Sequence, residues 1–114
     1  MNIEIIRKHC LSKPDVHESF PFDEHTLAFK VGGKIFCLAS LDRIPLCINL
    51  KCDPTRALEL RDQYDTVTPG YHMNKTHWNT ITIDGQIPSR NILEWIDHSY
   101  ELVHAGKGGK RKPR

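Results

Sequence analysis

The stretch 26-TLAFKVGGKIFCLAS-40 decides the fold. Its first six residues alternate, with Leu27, Phe29 and Val31 on one side and Ala28 and Lys30 on the other. That period of two marks a strand with one face buried. Gly32-Gly33 follows, and two glycines accept the positive φ that a two-residue hairpin turn demands. The segment KIFCLASL then returns as a more uniformly apolar strand. After DRIP, 46-LCINLKC-52 places Leu46, Ile48, Leu50 and Cys52 on one face and Cys47, Asn49 and Lys51 on the other. The pattern predicts a three-stranded antiparallel meander with one apolar and one mixed face.

The flanks supply helices. Ile3, Ile6 and Cys10 recur at helical spacing behind Asn2, an N-cap residue. SKPDVHESFPFDEH, with two prolines and several acids, reads as a loop whose FPF tucks its rings onto the core. Asp53-Pro54 is a helix start, an N-cap acceptor followed by proline in the first turn. Ala57, Leu58, Arg61 and Tyr64 carry that helix onward. TVTPGYH reads as a short extended piece, and HWNTITID alternates as a strand. From about Ser89, the residues Ile92, Ile96, Ser99 or Tyr100, and Val103 form the stripe of a last helix ending near Gly106. The predicted order is α-β-β-β-α-β-β-α. It describes an α+β single domain with an antiparallel sheet packed against helices.

A chain of 114 residues buries a core without metal or disulfide staples. No apolar run approaches the roughly 20 residues of a membrane span. MNIEIIRKHC is too charged for a signal peptide, so the expected location is cytoplasmic, with no membrane partner. Cys10, Cys37, Cys47 and Cys52 show no CxxC pair, which speaks against a structural zinc site. Cys37, Cys47 and Cys52, in strand-like runs, read as small core residues, and no disulfide framework is expected. The tail AGKGGKRKPR (105–114) holds five cations and no acid; without it, positions 1–104 carry 11 basic and 14 acidic residues, a net of −3. Positions 1–104 are thus expected to form the domain and 105–114 a basic, disordered tail. The body exerts no broad positive field, so polyanion binding requires a local patch or the tail.

The stretch 69-PGYHMNKTHWNT-80 is the densest in chemistry. A metal reading would use Tyr71, His72 and His77, but the histidines lie five apart and face opposite sides of a continuous strand. The nearest acids, Asp65 and Asp84, are distant in sequence, so no metal site is expected. A Cys/His nucleophile needs an activated thiolate, whereas these cysteines sit in sheet-like runs where burial is usual. No phosphate loop, nucleophile elbow or carboxylate pair is present; neither catalysis nor a cofactor is expected. A binding reading fares better. Lys75 is a phosphate-pairing cation, Asn74, Asn79, His72 and His77 offer polar contacts, and Tyr71 and Trp78 offer ring faces. Lys30, Lys34 and Lys51 add charge, Lys30 and Lys51 both on polar strand faces. A structural reading competes: Tyr71 and Trp78 anchoring the sheet, Asn74 and Asn79 bonding backbone, and Lys75 without structural duty.

Together FPF, FKVGGKIFCL, INLKCDP, LRDQY, VTPGYHMNKTHWNTI and LEWIDHSYELV resemble the MmcQ/YjbR family, in its order and spacing, from about residue 19 to 103. The resemblance implies an α+β fold related to secretion-chaperone-like and double-wing architectures. It implies DNA binding through hairpin wings, around Gly32-Gly33 and Tyr71–Asn79, and no enzymatic activity or cofactor. The expected function is a non-catalytic DNA-binding protein using Lys30, Lys34, Lys51, His72, Asn74, Lys75, His77, Asn79 and the tail. The alternative is a protein-interaction or chaperone-like module that takes a partner peptide or its own copy.

Overall fold

In the computed structural model, residues 1–108 are described, with side chains through 106; positions 109–114 of the expected tail lie outside the described residues. The elements are α1 (Ile3–Leu11), β1 (Val16–Ser19), β2 (Thr26–Val31), β3 (Lys34–Ser40), β4 (Cys47–Lys51), α2 (Pro54–Gln63), β5 (Val67–Pro69), β6 (Trp78–Thr82) and α3 (Ser89–Gly108). The strands form one antiparallel sheet in the order β1-β2-β3-β4-β6-β5.

Local chemistry sets the helix starts. The Asn2 side chain accepts the Ile5 amide at 3.0 Å, and Asp53 accepts the Arg56 amide at 3.2 Å, with Pro54 in the first turn. Gly32 and Gly33 take φ of 61° and 80° in the β2–β3 turn, where side chains are disfavoured.

One face of the sheet carries the helices. Leu27, Phe29, Val31, Ala39, Ile48, Leu50 and Ile81 meet Ile6 and Cys10 of α1 and Ile92, Trp95, Ile96, Tyr100 and Val103 of α3 in one buried cluster. The meander thus has the apolar face its alternation predicts, with one irregularity. The β2–β3 register shifts after Phe29, so both Phe36 and Cys37 enter the core. Ser99 of α3 fastens this bulge: its hydroxyl accepts the Lys51 amide at 2.9 Å and donates to the Phe36 carbonyl at 2.5 Å. All four cysteines are buried and free.

Three expectations need correction. The sheet has six strands, not five, because Val16–Ser19, expected within a loop, pairs antiparallel with β2. It is a short edge strand held by its neighbour and by Arg7–Glu18 at 2.6 Å, and it lacks an apolar alternation. The FPF rings do not reach the core, since Phe20 is 50% and Phe22 65% exposed. The last helix continues past the expected boundary, to Gly108. Among the described residues, no helix is long and apolar enough to cross a membrane.

Candidate binding surfaces on the helix-free face

The opposite face of the sheet has no helix on it. Register places the candidate lysines. Lys30 pairs with Ile35 and Lys51 with Trp78, and each is flanked in sequence by a core-facing residue, Val31 and Leu50. Alternation therefore turns both lysines to the helix-free side. They stand two strands apart, roughly 10 Å at the usual strand spacing. Lys34 pairs with Val31 instead and belongs to the other side, at the β2–β3 turn. Because the strands alternate in direction, that turn and the 70–77 turn between β5 and β6 lie at the same end of the sheet. Among the described residues, none of Lys30, Lys34, Lys51 and Lys75 is in an ion pair; the bridges are Arg7–Glu18, His9–Asp97, Lys13–Asp97 and Arg56–Glu94.

The 70–77 turn divides the remaining candidates. Asn79 is not a surface contact: it is 1% exposed, its side-chain Oδ1 accepts Arg61 Nε at 2.6 Å, and its Nδ2 donates to the Ala57 carbonyl at 3.4 Å. It ties β6 to α2. Lys75 does have structural partners, contrary to expectation. Its Nζ donates to the Gly70 carbonyl at 3.0 Å, and its own carbonyl accepts from Arg61. The Asn74 side chain accepts the Thr76 and His77 amides at 2.9 and 3.1 Å, the backbone role foreseen for it. His77 is exposed, and its carbonyl accepts the Cys52 amide at 2.7 Å. Gly70 leaves no room for a side chain, as a Cβ there would lie 2.8 Å from Trp78 Cβ and 3.0 Å from its carbonyl. Trp78 is half-buried, but Tyr71 is 59% exposed and does not anchor the sheet.

Tyr71, His72 and Met73 instead fold across the helix-free face and wall a trough of about 510 Å³. The Tyr71 amide donates to Thr80 Oγ at 2.9 Å, and Thr80 Oγ donates in turn to the Asn49 side-chain Oδ1. The facing wall is the β1–β2 loop with Phe22 and Asp23, the floor is Thr26, Leu38, Ser40 and Asn49, and Asp42 and Arg43 close one end. Arg43 lies 5.8 Å above the Tyr71 ring. The His25 backbone amide, with help from Thr26, holds the Asp23 carboxyl below its ordinary range. His72, at φ 59°, is the one predicted site residue in this trough. Alternation marks Asn49 as facing away from the core, but the sequence carries no sign of the two loops that frame it.

No three His, Cys, Asp or Glu side chains converge on a common point among the described residues. The Cys37 thiol is pushed well up by its contact with Cys10 and by burial, and burial also raises Cys52. Both remain protonated, which disfavours thiolate chemistry.

Comparison with known proteins places this architecture. The chain is 36% identical to the uncharacterised protein YbdF of Escherichia coli, over 97% of this chain and 91% of that protein. It is 32% identical to the uncharacterised protein YjbR of Escherichia coli, over 89% of this chain and 86% of that protein. A Deinococcus radiodurans crystal structure of the DUF419 domain superimposes with a TM-score of 0.91 at 38% identity, covering 96% of this chain and 83% of that one. A Pseudomonas syringae structure shares the fold, with a TM-score of 0.77 over 90% of this chain and 99% of that one, at 24% identity. The YjbR family model matches residues 11–102, and the chain belongs to the YjbR family.

Proposed function

We propose that this protein is a non-catalytic nucleic-acid-binding module that grips the phosphate backbone at the end of the sheet bearing its two turns. The observation that carries this reading is the register. It turns Lys30 and Lys51 to the helix-free face, with Lys34 and Lys75 in the flanking turns and no carboxylate paired to any of them among the described residues. α3 passes this same end, since Ser99 reaches the Lys51 amide. Unpaired lysines suit phosphate, at an affinity that falls with salt. Asn79 is excluded from this surface, and Lys75 contributes while bonded to Gly70.

The test is a salt-titrated gel shift on the full chain. The Lys30→Ala, Lys51→Ala double variant should weaken duplex and single-strand binding alike by roughly tenfold and flatten the salt dependence. Unchanged affinity in that variant, or no binding at low salt, overturns the proposal. A self-association reading is favoured by one other feature: Ile44, 98% exposed, and Leu41, 39% exposed, border an apolar groove with Met1 and Ile3. A concentration-dependent dimer in light scattering that Ile44→Ser abolishes would support that reading.

A further inference from the structure

We infer that the trough on the helix-free face is a nucleobase pocket, formed by residues separate from the lysines of the phosphate-contacting end. Four observations carry the inference.

The first is a built hydrogen-bond donor. Asn49 is 8% exposed yet lines the trough. Thr80 Oγ accepts the Tyr71 amide, so its proton is free for the Asn49 side-chain Oδ1. That orients the Asn49 Nδ2 group to the trough, where it has no partner among the described residues. The residue is largely buried, but this nitrogen still reaches solvent through the trough, and a carbonyl-bearing ligand would take the place of water on it. The second is the pair of exposed rings. Phe22 and Tyr71 line opposite sides, 65% and 59% exposed. The Tyr71 ring already packs with His72 at 4.0 Å and lies under Arg43 at 5.8 Å, so the open stacking face for a flat ligand is that of Phe22. The third is the mixture around the floor. Ser40 and Thr26 hydroxyls donate or accept, and the Asp23 and Asp42 carboxylates accept. A heterocycle with alternating carbonyl and N–H groups matches that set; a purely apolar ligand does not. The fourth is what adjoins it. Lys30 and Lys51 follow Ala28 and Asn49 by two residues along their strands and face the same way, about 7 Å away at the strand rise. Arg43 closes the other end. A phosphate on either side of the base therefore finds a cation. At about 510 Å³ the trough falls within the range of small-ligand sites.

The base belongs either to a free nucleotide or to a single strand, and one experiment separates them. The isotope-labelled full chain is titrated with uridine monophosphate, a short oligothymidylate, an abasic strand of equal length and a duplex, following the Asn49 side-chain amide by NMR. The inference expects the Asn49 amide to shift with the monophosphate, the oligothymidylate or both, and to stay unmoved with the abasic strand and the duplex. A response to the monophosphate alone identifies a free nucleotide as the ligand, and a response to the oligothymidylate alone identifies a strand. Phe22→Ala, on an exposed loop where folding is not at stake, should weaken the responding ligand by about tenfold and leave abasic-strand binding unchanged. No shift at Asn49 with either base-bearing ligand overturns the pocket, as does equal affinity for the abasic strand and the oligothymidylate. Loss of all strand binding in the Lys30→Ala, Lys51→Ala variant, with monophosphate shifts retained, separates failure of one site from failure of the other.

Discussion

On the helix side of the sheet, Phe29, Phe36 and Ile96 are wholly buried, and polar groups such as Ser99 and Asn79 have their partners. On the other side, Phe22 and Tyr71 stand more than half exposed over a floor that includes the polar side chain of Asn49. The same strands build both faces, so the contrast comes from what was laid over them. Helices bury apolar area continuously and stabilise the fold. Two short loops cover a face only in part and leave room for something else. The first face explains why the chain folds, and the second is where a ligand has space.

That division predicts how substitutions should sort. The largest effect is expected at Asn79, whose removal takes from Arg61 Nε its buried acceptor and from α2 the tie to the Ala57 carbonyl. Asn79→Ala should lower urea-unfolding stability by about 2–3 kcal/mol; a change near zero would mean that the α2 contact is dispensable. Gly70→Ala comes next. Its Cβ would collide with Trp78, and overpacking of this kind costs about 1–3 kcal/mol, readable in the same titration.

A milder effect follows from pH. Burial, then repulsion from Arg56, lowers the His98 pKa below its ordinary 6.5. Its neutral Nε2 accepts the Asp53 amide at 3.2 Å. Because the folded value is the lower one, this contribution is present above pH 6.5 and is lost as pH falls through the depressed value. The Asp53 amide should then shift in NMR as the start of α2 loosens, and His98→Gln should remove that pH dependence. The smallest effect belongs to the open face. Phe22→Ala and Lys51→Ala should each change stability by no more than about 0.5 kcal/mol. A loss of several times that would blur the contrast between the faces.

Much of the helix side was legible in the sequence. Alternation in 26–31 and 46–52 gave the meander, Asn2 and Asp53 marked helix starts, and Ile92, Ile96 and Val103 marked the last stripe. The edge strand at Val16–Ser19 was not legible, because four residues with a histidine and a glutamate owe their extension to the β2 ladder. The binding side was read only in part. Alternation correctly turned Lys30 and Lys51 to one face. It gave no warning that Arg61, eighteen residues away, claims Asn79, or that Phe22 and Tyr71 converge from distant loops. Side-chain type suggests chemistry, while long-range partners decide which groups remain free to perform it.

Arg61 shows this in another register. Its one guanidinium binds the Lys75 carbonyl, the Trp78 carbonyl and the Asn79 side chain, joining α2 to the 70–77 turn at one point and to the start of β6 at two. A planar fork meets several acceptors at once, as a lysine ammonium on a flexible stem does not. Helix and turn therefore form one cooperative unit of local unfolding, whose amides exchange with solvent together. Loosening α2 is thus expected to loosen the turn that carries Tyr71, the wall of the trough, which hydrogen exchange of the Tyr71 amide in an Arg61→Lys variant would read.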